Sequence, residues 1–239
     1  MATADLVTQL KQDFDDVYAA GKAVGGGSGI TDYSMYAKQI QLRPAAITQN
    51  NVTVDLDNGT TLAMFLNSTL DSDDNIAVKS ITVNCPNKIE AMNAAFFCNR
   101  NYNDNVLEKV TLNVDTSNCS TIRLAFRGCR AVKTIDGTPL DLSKCTASNS
   151  TENAFQYCYA LQDIEFAKET IKVNISFANS ELLTAESIQS IIDGLADLTG
   201  GTTQTLTVHQ TVRNKLTEDQ LTTISNKNWA ISPAEATNQ

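Results

Sequence analysis

Histidine occurs once in this chain of 239 residues, tryptophan once and proline four times. The scarcity of histidine matters most. Ser-His-Asp and Cys-His sites need an imidazole base, and His209 is the only one available. It stands beside Val208 at the end of a predicted strand, where a surface or hydrogen-bonded role is expected. No C-x-x-C pair occurs, which argues against a structural zinc site. No run approaches the roughly 18 apolar residues of a membrane-spanning helix. Positive charge is also short: 18 Lys and Arg face 27 Asp and Glu, a formal net charge of -9. An acidic surface repels nucleic acid and anionic bilayers, so neither is an expected partner. Met1-Ala2-Thr3-Ala4-Asp5 has neither a basic n-region nor an apolar h-region, so it does not read as a signal peptide. Assembly in a cytoplasm is the expectation; a leader removed from the chain is the alternative.

Two further absences close off chemistry. Gly25-Gly26-Gly27-Ser28-Gly29 lacks the lysine and flanking strand of a phosphate-binding loop. Asp71-Ser72-Asp73-Asp74-Asn75 opens like a calcium loop, but Ile76 and Thr82 stand where a glycine and a glutamate are needed. A solvated acidic loop is expected there. No carboxylate pair is seen to converge. No catalytic residue, cofactor or metal is therefore expected, and the chain reads as a non-enzyme.

What the sequence does have is a phrase it repeats. Val114-Asp115-Thr116-Ser117-Asn118-Cys119 leads to Ala125-Phe126-Arg127-Gly128-Cys129, then Val132 and Ile135. Leu140-Asp141-Leu142-Ser143-Lys144-Cys145 leads to Ala154-Phe155-Gln156-Tyr157-Cys158, then Leu161 and Ile164. Looser copies surround Phe65, Phe96 and Phe177, so the key phenylalanines follow one another at steps of 31, 30, 29 and 22 residues. A period in this range predicts a solenoid, in which each unit buries its apolar face on the next. Val52–Leu56 and Thr60–Phe65, around Asp57-Asn58-Gly59, fit either a hairpin or the first solenoid turn.

Six cysteines would allow three disulfides, but the repeat predicts thiols instead. Cys98, Cys129 and Cys158 fall at nearly equivalent positions, and Ser68 and Ser180 replace them in other copies. Such a position wants a small buried side chain, and a thiol serves as a small hydrophobe. Cys85, Cys119 and Cys145 are expected in the turn after the Asp.

Residues 1–29 form a separate piece. Val7, Leu10, Phe14 and Val17, with Gly21 and Val24, make an a/d heptad seam that ends in the Gly-rich linker. A helix this short is marginal alone. It is expected to pack on copies of itself, with a trimer favoured, or on a larger assembly; folding back as a cap is the alternative. Val7, Leu10, Phe14, Val17 and Tyr18 are the candidate anchoring residues. Residues 30–183 are assigned to the repeats and 184–239 to a closing region. There, Thr184 is expected to cap a helix with Ile188, Ile191, Ile192, Leu195 and Leu198 on its apolar face, stopped by Gly200-Gly201. A strand over 205–208, a capping box at Thr217-Glu218-Asp219-Gln220 and a strand at Trp229-Ala230-Ile231 follow.

The repeat phrase D-T-S-N-x-T…F-x-G-C-x-x-L/V-x-x-I resembles the BspA-type leucine-rich repeats of bacterial surface proteins, also found in phage virion proteins. The resemblance spans about residues 54–183. Val17-Tyr18-Ala19-Ala20-Gly21-Lys22 is similar to the leading helix of many phage structural proteins, and the closing region resembles that of phage leucine-rich-repeat proteins. The implied fold is an α/β solenoid of irregular leucine-rich repeats with short parallel strands, an N-terminal helix and an α/β C-terminal cap. The implied function is adhesion or recognition by a phage virion protein of tail or head, its partners being other virion proteins and a host-surface glycan or protein. A bacterial cell-surface adhesin is the alternative.

One surface pattern fits that role. Residues following each key Phe and each Cys should align from unit to unit. Arg100, Tyr102, Arg127, Arg130, Tyr157 and Tyr159, with Phe97, Asn99 and Gln156, would form an Arg/Tyr-rich stripe on an acidic protein. Arg and aromatic residues are enriched at interfaces. An ordinary solvated ridge is the plainer alternative.

Overall fold

The computed structural model of the protein describes residues 51–56, 62, 79–97 and 106–233. The anchoring seam Val7, Leu10, Phe14, Val17 and Tyr18, the glycine linker, Phe65, Ser68, the acidic loop at 71–75, Cys98, Arg100 and Tyr102 lie outside these residues.

Five parallel strands form one sheet in sequence order: β1 (Asn51–Asp55), β2 (Ser80–Lys88), β3 (Lys109–Asp115), β4 (Thr134–Leu140) and β5 (Asp163–Phe166). The register follows the sequence period. Asn51 pairs with Ser80, Ser80 with Lys109, Lys109 with Thr134, and Thr134 with Asp163. Residues alternate in and out, so Ile81, Val110, Ile135 and Ile164 form one buried row, and Val54, Val83 and Leu112 another. Asn51–Asp55 is thus the first parallel strand of the sheet, while the turn at 57–59 and most of the stretch 60–65 lie outside the described residues.

On the opposite side of the core the connecting segments pair too. The amides of Ile122, Leu124, Phe126 and Gly128 donate to the carbonyls of Ser150, Glu152, Ala154 and Gln156 at 2.8–3.0 Å. Met92, Ala94 and Phe96 donate in the same way to Thr121, Arg123 and Ala125. Ala94, Leu124 and Asn153 take positive φ at equivalent points, so the bend is a repeated feature. Between the two sides the rings of Phe96, Phe126, Phe155 and Phe177 stack, with centroids 5.2, 5.6 and 4.7 Å apart and planes within 19°.

The repeated Asp has a local job. Asp115 Oδ1 accepts the amide of Ser117, and Asp141 Oδ1 that of Ser143, closing an Asx turn where each strand leaves the sheet. Cys119 and Cys145 follow these turns. Cys85 does not: it lies within β2 and continues the inward alternation of Ile81 and Val83. Three extra strand residues, Pro86 to Lys88, follow it and shift the register before Lys88 meets Asp115.

Beyond β5 the two sides exchange structure. β6 (Ile175–Phe177), β7 (Gln204–Val208) and β8 (Trp229–Ser232) form a second parallel sheet. Although β6 carries the last stacked phenylalanine, it pairs with β7 and not with β5. Thr151 Oγ1 donates to the Asn174 carbonyl, so this sheet prolongs the connecting-segment side. The strand side becomes helical instead. α1 (Ala185–Gly194) packs along β5 and against α3 (Glu218–Asn226), and a single turn, α2 (Gln210–Arg213), precedes α3. The exposed edge of β5 is satisfied by side chains of α1. The amides of Ile164 and Phe166 donate to the hydroxyls of Ser187 and Ser190, both at 2.9 Å. Residues two apart on a strand thus meet residues three apart on a helix, which closes an edge that would otherwise template pairing.

Thr184 caps α1 as expected, and Thr217 and Gln220 complete both halves of the capping box on α3. α1 ends at Gly194, however, six residues before Gly200. Its end is set by tertiary pairing: Ile171 donates to the Gly194 carbonyl and accepts from Ala196, drawing Leu195 into a bridge. A side chain at 194 would meet Phe166 Cβ at 2.9 Å. Lys227 then donates to the carbonyls of Ile192 and Leu195 at the end of the helix, at 3.2 and 2.7 Å. His209 caps α2, its Nδ1 accepting the Thr211 amide at 3.2 Å.

Candidate binding surface

The connecting segments carry the predicted stripe. Phe126 and Phe155 point inward, so the residues after them turn outward. The structure brings four of the six Arg and Tyr residues of the stripe together with Phe97, which the stripe also included. The Arg127 guanidinium carbon lies 5.6 Å from the Phe97 ring centroid and 5.8 Å from that of Tyr157. The Arg130 guanidinium carbon lies 5.7 Å from Tyr157 and 5.3 Å from Tyr159. Phe97, Arg127, Tyr157, Arg130 and Tyr159 therefore form a ladder in which cation and ring alternate. The two tyrosine rings, Tyr157 and Tyr159, are 6.2 Å apart and tilted by 41°. Such contacts contribute about 0.5–1 kcal/mol each where solvent reaches them. Tyr159 is 42% exposed, one of the few large hydrophobic side chains exposed among the described residues.

Backbone geometry holds the ladder in place. Gly128 and Tyr157 occupy equivalent positions and share positive φ, 81° and 67°. A tyrosine is strained there and a glycine is not. Asn179 steadies Tyr157, its Oδ1 accepting the Tyr157 amide at 3.0 Å. This partner went unread in the sequence, although Asn179 stands in the last copy of the phrase, two residues after Phe177.

Arg127 is set differently from the arginine nearest to it in the chain on that side. Arg123, four residues earlier, pairs with Glu152 of the next unit at 2.8 Å. Lys133 pairs with Glu108, and Lys109 with Asp136, both at 2.7 Å. The next-unit counterpart of Arg127 is Gln156, a neutral residue whose Oε1 is buried without a hydrogen-bond partner. Among the described residues, Arg127 meets aromatic rings and no carboxylate.

A second ordered surface escaped the sequence reading. Thr53-Val54-Asp55, Thr82-Val83-Asn84 and Thr111-Leu112-Asn113 recur every 29 residues, and that was the signal. On the outer face of the five-stranded sheet, Asn113 donates to Asn84 and Asn84 to Asp55, each at 2.7 Å. These groups bond to one another and knit the strands laterally.

The five cysteines of the described residues are buried thiols. Cys129 and Cys158 donate to the carbonyls of Phe96 and Phe126, at 3.0 and 3.1 Å, and Ser180 donates to that of Cys158 at 3.1 Å. The position therefore selects a small donor as well as a small volume. Cys145 donates to the Cys119 carbonyl. The hydrogen bond with the Cys119 thiol, and then burial, push the Cys145 thiol well above the usual range.

A groove of about 640 Å³ runs between the β4–β5 face and α1, lined by Asp136, Asp163, Glu165, Glu186, Asp193 and Lys168 among others. No cluster among the described residues has the makings of a metal site, and no described helix is long and apolar enough to cross a membrane. No protein-family model, no curated protein and no solved structure matches this chain.

Proposed function

We propose that this chain is a non-enzymatic phage virion protein, a solenoid of leucine-rich-like units that displays a recognition surface. The Phe97–Arg127–Tyr157–Arg130–Tyr159 ladder is that surface, and residues 1–29 anchor it. The observation that carries the reading is the ladder itself. Its rungs come from three successive units and stay aligned because the phenylalanines beneath them, Phe96, Phe126 and Phe155, stack at 5.2 and 5.6 Å. Planar cations sandwiched between rings are rigid, so little side-chain freedom is lost when a partner docks. The strained Tyr157 supports a role beyond packing, because the preceding unit puts glycine at that point. The seam Val7, Leu10, Phe14, Val17 and Tyr18 then holds copies together, with a trimer favoured, and the glycines at 25–27 and 29 let the repeats project.

Two measurements test this. Light scattering on the full chain should give an oligomer, and Leu10→Asp with Phe14→Asp should give a monomer with an unchanged melting temperature. Adsorption of labelled protein to a panel of intact bacteria should occur with some strains and fall at least tenfold in Arg127→Glu. A monomeric wild type overturns the anchor; retention by no strain, or equal retention of the variant, overturns the recognition surface.

A further inference from the structure

Resting on that reading, we propose that the ladder binds a saccharide chain bearing carboxylates, such as a uronic-acid polymer. Three features of the surface select this chemistry. First, whereas Arg123, four residues earlier on the same side, has Glu152, Arg127 is a cation without a carboxylate among the described residues. Its faces are covered by Phe97 and Tyr157, but a guanidinium binds anions through its in-plane N–H edge. Stacking therefore fixes the plane and leaves the fork for an incoming carboxylate. Second, Tyr159 is 42% exposed at the outer end of the ladder, a flat apolar face of the kind on which sugar C–H groups lie. Third, the main chain under the ladder is already bonded. The Arg127, Gly128, Arg130 and Tyr157 amides go to Leu124, Gln156, Gly128 and Asn179. A peptide adding as a strand would find no edge here, so an acidic peptide is the poorer fit. The net charge of -9 repels an anionic chain over the rest of the surface, so binding would depend on this stripe alone.

The test uses the full chain and three defined polymers: polygalacturonate, neutral dextran and poly-glutamate. Calorimetry or surface binding at fixed ionic strength should show polygalacturonate bound, dextran not bound, and poly-glutamate at least about tenfold weaker. Arg127→Lys keeps the charge but loses the planar fork, and should weaken polygalacturonate binding by about tenfold. Tyr159→Ala, at an exposed position that leaves the core intact, should weaken it severalfold and serves if Arg127→Lys folds poorly. Equal binding of poly-glutamate, equal binding of dextran, or no binding of polygalacturonate each overturns the assignment. If polygalacturonate fails while Arg127→Glu still abolishes adsorption to bacteria, the recognition surface stands and only the saccharide assignment falls.

Discussion

Cys158 donates its thiol to the carbonyl of Phe126, 3.1 Å away and 32 residues earlier in the chain. Cys129 makes the same bond to Phe96, and Ser180, three residues after Phe177, donates to Cys158. A small hydrophobe and a small donor make different demands at one site. If only volume mattered, Cys158→Ala would be the mildest change. With the donor included, Cys158→Ser should be more stable than Cys158→Ala, by about 1 kcal/mol. Cys158→Leu should lose about 1–3 kcal/mol through overpacking. Chemical denaturation of the three variants gives the order directly, and alanine above serine would return the site to plain packing.

The phenylalanine stack is the spine of the fold. Phe126 and Phe155 are almost fully buried, and each touches a ring on both sides. Phe126→Ala and Phe155→Ala should each destabilise by about 3–5 kcal/mol, the range for large core truncations. Urea midpoints unchanged from wild type would show that the rings are not stacked as described.

Closure of the β5 edge rests on two hydroxyls. Ser187→Ala with Ser190→Ala removes the acceptors for Ile164 and Phe166. The buried Ile164 amide then lacks a partner, at about 1–3 kcal/mol. Hydrogen exchange should accelerate at Ile164 and Phe166 before it does at Val110 in the middle of the sheet. Uniform exchange across all strands in the double variant would show that α1 is not what seals this edge.

Several carboxylates are held below their ordinary values. The hydroxyl and amide of Ser117, helped by Lys88, lower Asp115; Lys133 lowers Glu108; the Thr199 hydroxyl and amide lower Asp197. Burial works to raise Asp136, but Lys109 and Thr111 outweigh it and the net shift is down. A depressed carboxylate stabilises the fold above its unfolded value, and that stability is lost as pH falls through the folded value. The melting temperature should therefore be flat near neutrality and decline below about pH 4. A decline beginning between pH 7 and pH 5 would contradict this assignment.

The parallel strands and the ring stack were legible because each unit repeats one spacing, so the position of Phe155 predicts that of Phe126. The Arg/Tyr ladder was legible for the same reason in the two strongest copies. Other features were not local. Ile175-Ser176-Phe177 shows the same in-out alternation whether it extends the first sheet or starts a second, and alternation does not name a partner strand. Gly200-Gly201 is a strong stop signal, yet Ile171 ends α1 earlier through a bridge that no local pattern reveals. Cys85 shares a residue type with Cys119 but has the strand setting of Val83, because Pro86 to Lys88 interrupt the unit. The bonds made by the thiols were hidden in what looked like a choice of size.

The exchange of structure after β5 also has a consequence for how such a chain can change in length. The end beyond β5 is specialised, whereas the stretch between Leu140 and Phe166 meets neighbours of its own kind on the ladder side. A whole unit duplicated there would inherit both pairings and leave the helical seal of Ser187 and Ser190 untouched. It would also lengthen the ladder by the two rings that one unit carries, Tyr157 and Tyr159. Sheet and ladder would grow together in steps of one unit, without redesign of the closure beyond β5.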